Sequence, residues 1–64
     1  MEYTNSQMRN LIAEYIHSER DRRVLLRVYI DGIGQERLAE EMGLSTRQIQ
    51  NIIYKHQNTI FIHL

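Results

Sequence analysis

Apolar residues recur at three- and four-residue steps along most of this chain, the spacing that gives an α-helix one buried face. The spacing predicts four helices and no strands, over residues 6–16, 19–31, 35–42 and 46–60. We expect an all-α fold made of a single four-helix domain over residues 1–64, since a chain of 64 residues is near the lower limit for one independent core.

Polar residues just before three of these segments can cap the helices. Asp21 and Gln48 each follow a serine by three positions, as in a capping box. The second segment is apolar on more than one side, so we expect it to be the central and most buried helix, with Gly32 as its C-cap. The candidate N-caps are Thr4, Asn5 or Ser6 for the first helix, Ser18 for the second and Ser45 for the fourth.

The third and fourth predicted helices are joined by a short turn at Gly43, which is typical of a helix-turn-helix. Ala39 is small where the two helices must cross closely, and glycine adopts a left-handed backbone at low cost where the chain reverses. Leu44, Ile49 and Ile52 are placed to fill the angle between the helices. A plain antiparallel helical hairpin is the alternative, but it does not require both Ala39 and Gly43.

The fourth predicted helix carries a polar stripe opposite its isoleucines, and every acidic residue of the chain lies at or before Glu41. In a helix-turn-helix the second helix enters the DNA major groove, where Arg can bond guanine and Gln or Asn can bond adenine. The alternative interpretation is an ordinary solvated surface. The candidate base contacts are Arg47, Gln50 and Asn51, and the candidate phosphate contacts are Ser45, Thr46, Tyr54, Lys55, Arg23 and Arg27.

Composition narrows the function classes. Eight basic and eight acidic residues give a net charge of zero, which argues against strong non-specific nucleic-acid binding. The absence of cysteine excludes disulfides and thiolate metal sites. No apolar run is long enough for a bilayer and no signal peptide is recognisable, so we expect a cytoplasmic location without a membrane partner. No catalytic or cofactor-binding spacing is present, so we expect neither an enzyme nor a cofactor.

Two smaller features leave alternatives open. His17, His56 and His63 could suggest a metal site, but no carboxylate lies near the last two in sequence, and we expect no metal. The apolar end of the chain could form a homodimer surface, which would let two copies read a two-fold DNA site, or it could fold back on the first helix. The candidate dimer residues are Ile60, Phe61, Ile62 and Leu64.

The segment from Arg20 to Lys55 resembles region four of bacterial sigma factors, the four-helix domain that binds the upstream promoter element. The residues that carry the resemblance are the arginine-rich helix with "VLL", the turn "DGIG", the stretch "LAEEMGLS", and the pair Ile49 and Ile52. The chain is also similar to short sigma-like proteins of phages and mobile elements of Gram-positive bacteria, and less closely to the DNA-binding domain of LuxR-type response regulators.

The resemblance implies a DNA-binding module, with Lys55 at a basic position common in the family. Sigma factors commonly carry an Arg-Glu-Arg-x-Arg-like run in the recognition helix, whereas residues 46–50 here read "TRQIQ", so no promoter sequence is implied. We therefore expect a sequence-specific DNA-binding protein that regulates transcription, with double-stranded DNA as its partner. The alternative is a protein-interaction module that docks on RNA polymerase or another regulator, with the apolar end of the chain as a dimer surface.

Overall fold

The computed structural model describes residues 4–63 and forms four α-helices, with no strand among those residues. This agrees with the predicted all-α fold, and the helix ends differ from the predicted ones by at most two residues. The helices are α1 (Asn5–Tyr15), α2 (Glu19–Tyr29), α3 (Gln35–Met42) and α4 (Thr46–Ile62).

The starts of the helices follow from local side-chain chemistry. Thr4 caps α1: its Oγ1 accepts from the backbone N–H of Gln7 at 3.1 Å, while Gln7 Oε1 accepts from the Thr4 N–H at 2.9 Å. Ser45 and Gln48 form the same reciprocal box at α4, at 3.1 and 2.8 Å, as the spacing predicts. These side chains satisfy backbone donors that a helix start otherwise leaves without a partner.

Of the two hydrogen bonds in the capping box predicted at α2, the structure has only one. The Ser18 hydroxyl accepts from the Asp21 N–H at 3.3 Å, but the Asp21 side chain does not reach back to the cap. The predicted C-cap is also wrong, because α2 ends at Tyr29 with Ile30 as its cap. Gly32 instead lies two positions further on with φ +67°, inside the turn that leads to α3.

Two apolar clusters form the core, and Ile53 packs against both. Ile60 joins α4 to the first cluster, which lies among α1, α2 and α4. The second lies among α2, α3 and α4. The buried residues are Leu11, Ile12, Ile16, Leu25 and Ile60 in the first cluster, and Val24, Leu38, Ala39, Ile49 and Ile52 in the second.

Both α2 and α4 contact all three other helices, whereas α1 and α3 do not touch each other within the described part of the chain. The expectation of a central α2 is therefore correct, but α4 shares that position. One end of α4 packs on α3 through Ile49, and the other end packs on α1 through Ile60. Within residues 4–63, α4 stays open on the side that faces away from the other three helices.

Candidate nucleic-acid interface

A three-residue turn over 43–45 joins α3 to α4 and sets how the second helix is presented. Gly43 has φ +68° and ψ +30°, the left-handed conformation expected at a glycine helix end. The Leu44 N–H donates to the Ala39 carbonyl at 2.9 Å, which uses one of the free carbonyls at the end of α3. Leu38 and Ala39 are buried against Ile49 and Ile52, so the two helices share one packed contact.

The polar stripe of α4 is exposed. Arg47, Gln50 and Asn51 lie within one turn of each other and all are exposed. Tyr54 follows one turn later with 73% of its surface exposed. None of the residues of α4 is acidic. The structure thus brings the three candidate base contacts together on one open face, to which α4 itself contributes no carboxylate that would repel DNA.

The start of α4 offers fewer free side chains than the sequence suggests. The Ser45 hydroxyl oxygen and the Gln48 amide oxygen are already committed to the cap, and Thr46 is half-buried. A capping serine keeps its O–H as a donor, since only its oxygen accepts in the cap. Ser45 can therefore still donate to a phosphate, beside the N-terminal amides and partial positive charge of the helix.

The opposite side of α4 holds a contact that the sequence analysis missed. His56 Nε2 donates to Asp21 Oδ2 at 2.7 Å, and the Asp21 side chain is only 1% exposed. Arg20 Nε donates to the second carboxylate oxygen at 3.3 Å, and Lys55 Nζ lies 4.0 Å from the first. This cluster anchors the start of α2 to the middle of α4.

Burial raises the pKa of the Asp21 carboxyl, but the hydrogen bonds from His56 and Arg20 and the charges on those two groups have the larger combined effect. The net result is a pKa below the ordinary value for aspartate. A sequence signal for this pair existed: Asp21 is three and four positions before Val24 and Leu25, so it shares their buried face. The three-residue spacing after Ser18 instead predicts a role for Asp21 in the cap of α2.

Arg23 and Arg27 lie away from the exposed face of α4. Arg27 donates to Glu41 of α3 at 2.8 Å and to Asp31 at 2.8 Å, and these hydrogen bonds raise its pKa further. Arg23 lines a groove formed with Arg9 of α1. That these two arginines hold phosphates stays a prediction, and Arg27 would first have to give up its carboxylate partners. Sequence spacing alone did not show which face of α2 is turned toward α4.

The apolar end of the chain divides into buried and exposed parts. Ile60 is fully buried in the cluster with α1, so its assignment to a dimer surface is wrong. Phe61 and Ile62 are 56% and 76% exposed, and Leu64 lies outside the described residues. His63 stacks on Tyr15 with ring centroids 3.8 Å apart. This end of α4 therefore packs on α1 and still leaves two apolar side chains in solvent.

Two further observations concern the described residues. Residues 4–63 contain no group of three His, Asp or Glu side chains placed to hold a metal ion together. No helix within the same range has the length and apolar character needed to cross a membrane.

Comparisons of the chain with models of protein families, with curated proteins and with solved structures give no match.

Proposed function

We propose that this chain is a helix-turn-helix DNA-binding protein of the sigma region four-like type, acting in transcription regulation. The observation that carries the proposal is the exposed, acid-free polar face of α4. The helix follows a left-handed glycine turn, and its opposite, apolar side packs on α3 through small and branched residues. In a helix-turn-helix, the second helix, here α4, can enter the major groove of DNA, while the first helix, here α3, crosses the sugar–phosphate backbone.

The roles follow from the chemistry of the exposed side chains. The Arg47 guanidinium matches the two acceptors of guanine, and the amides of Gln50 and Asn51 match the acceptor–donor pair of adenine. Tyr54 lies further along the exposed side. Lys55 is at its edge, with 70% of its side chain exposed although its Nζ lies 4.0 Å from the Asp21 carboxylate. Both can hold phosphates and fix the register of the helix in the groove. Ser45, Thr46 and the first amides of α4 suit a phosphate at the other end.

The charge on α4 sets how strongly binding should depend on salt. Of its two Lys or Arg residues, Arg47 is assigned to a base and Lys55 to a phosphate, so about one phosphate is neutralised, and the affinity should fall about three- to fourfold between about 50 and about 200 mM salt. A larger fall would require cations outside α4. This modest dependence fits a neutral chain that reads bases rather than one that coats DNA.

A fluorescence anisotropy titration with a duplex selected from a random pool tests the proposal. Lys55→Ala should weaken binding to all duplexes and reduce the salt slope by about one, whereas Arg47→Ala should weaken binding by about 1–3 kcal/mol and relax the preference for its base. Arg9→Ala is the matched control, because it removes the same charge from an exposed position on α1. No binding by the unaltered chain at low salt, or equal losses in all three variants, would contradict the proposal.

A second candidate function, docking on RNA polymerase or another regulator, is favoured by the exposure of Phe61 and Ile62 at the end of α4. Salt separates the two functions: an apolar docking surface should bind nearly as well at high salt, whereas DNA binding should weaken. Phe61→Ser with Ile62→Ser should abolish docking of this kind and leave duplex affinity unchanged.

A further inference from the structure

A groove of about 510 Å³ lies between α1 and the outer side of α2, away from the candidate nucleic-acid interface. Its centre is basic and apolar, and its two acidic residues lie at the two ends of the groove: Glu19 is the first residue of α2, and Asp31 is two positions beyond its last. The remaining lining residues are Arg9, Arg22, Arg23, Leu26, Arg27 and Ile30.

The four arginines of the groove differ in how far their charges are neutralised by nearby carboxylates. Arg27 is neutralised by Glu41 and Asp31. Arg22 donates to the carbonyls of Ala13 and Ile16, which hold its side chain in place but carry no net charge. The structure shows no ion pair for Arg9 or Arg23 with any other residue in the range 4–63, and both are exposed. The centre of the groove therefore carries positive charge that the described fold does not neutralise.

Leu26 of α2 and Ile30, the cap residue of α2, form the apolar part of the groove; they are about one helical turn apart and only partly covered by the fold. A ligand that complements both the positive charge and the apolar residues of the groove must present carboxylates beside a row of apolar side chains. We propose that this groove is a docking site for an acidic amphipathic helix of a partner protein, with its apolar face on Leu26 and Ile30 and its carboxylates on Arg9, Arg22 and Arg23.

The position of the groove argues against DNA as its occupant. On α2, Asp21 and Val28 face α4 and its neighbours, and successive residues of a helix are rotated by about 100°. Arg23 follows Asp21 by two positions and is therefore turned about 200° away from it, to the far side of α2. Leu26 and Ile30 would also gain nothing from a phosphate backbone. A protein can occupy this groove while α4 holds DNA.

A second copy of this chain does not fit the groove either. The helix with most acids is α3, but its apolar residues Leu38 and Ala39 are buried in its own core. It can therefore present carboxylates but no apolar row. Since α1 has one acidic residue and α4 has none, no helix within residues 4–63 supplies the occupant, and we assign it to a different protein.

Amide NMR shifts of the labelled chain test the proposal with a defined probe, a synthetic peptide of about four helical turns that carries leucines on one face and glutamates beside them. Saturable shifts are expected at Arg23, Leu26 and Ile30, with none at Gln50 or Asn51. A peptide of the same composition, rearranged so that its leucines no longer share one face, is the control and should give no saturable shifts. Absence of groove shifts at about 1 mM of the designed peptide would overturn the proposal.

Arg9→Gln with Arg23→Gln should weaken peptide binding about fivefold, because each exposed ion pair contributes modestly. Arg37→Gln on α3 removes the same kind of charge outside the groove and should have no effect. Equal effects in both variants would show only general charge attraction and overturn the proposal. The proposal would also be overturned if a DNA duplex, and not the peptide, caused saturable amide shifts at the groove residues. The peptide result does not depend on whether α4 binds DNA.

Discussion

The Asp21 carboxylate and the His56 imidazole meet at 2.7 Å across the interior, joining the first turn of α2 to the middle of α4. They are 35 positions apart in the chain. The carboxylate also lies in the first turn of α2, where negative charge is stabilised by the helix dipole. This link fixes the position of the proposed recognition helix from behind, while its polar face stays open.

Asp21→Ala should reduce the free energy of unfolding by about 1–3 kcal/mol, since it leaves the half-buried His56 ring without its partner. Urea denaturation measures this difference. Asp31→Ala is the control, because it also removes a carboxylate but breaks only the exposed ion pair with Arg27, which contributes little. A loss for Asp21→Ala no larger than that for Asp31→Ala would contradict the structural role of the link.

The pKa of Asp21 also predicts how stability depends on pH. The folded-state pKa is lowered, so the folded state binds this proton less readily than the unfolded chain does. The stabilisation is therefore fully present above the ordinary aspartate pKa of about 3.9 and is lost as the pH falls through the lower folded value. The stability advantage of the unaltered chain over Asp21→Asn should shrink on acidification within this range. A constant difference across it would contradict the assignment.

Gly43 provides a test of the turn. Its φ of +68° is costly for a residue with a Cβ atom, although no atom lies within 4 Å of where that Cβ would stand. Gly43→Ala should therefore destabilise the fold by about 1–2 kcal/mol through the backbone alone, and Gly43→Asn by less. Gly34→Ser is the control, since Gly34 has φ −67° and caps α3, and it should change stability by less than about 0.5 kcal/mol. Thermal unfolding measures all three variants.

The end of α4 provides a test of the core. Ile60→Ala should cost about 2–5 kcal/mol, because Ile60 is fully buried against α1. Ile62→Ala, two positions away and 76% exposed, should leave the unfolding midpoint nearly unchanged. If Ile60 held a dimer together instead, its replacement would change the mass in solution more than the stability of the folded chain.

The features that sequence predicts well here are local ones. The Ser45–Gln48 cap and the Gly43 turn depend on residues within a few positions of each other, and their spacing alone indicates the structure. The predicted end of α2 at Gly32 is wrong, because the sequence alone does not distinguish a glycine in a turn from a glycine at the end of a helix.

Long-range contacts were not predictable in the same way. The sequence places His56 on the apolar stripe of α4, but nothing local says that its partner is the third residue of α2. Likewise, nothing in the sequence near Arg27 indicates that Glu41 of α3 neutralises its charge. The candidate base contacts share one face because they lie on one helix, and that much follows from helical periodicity.

The most direct test of DNA binding through α4 is an amide shift map of the labelled chain with a selected duplex. The largest saturable shifts should fall on Arg47, Gln50 and Asn51, with smaller ones at Tyr54 and Lys55. No saturable binding at low salt, or shifts confined to the groove between α1 and α2, would contradict the proposed role of α4.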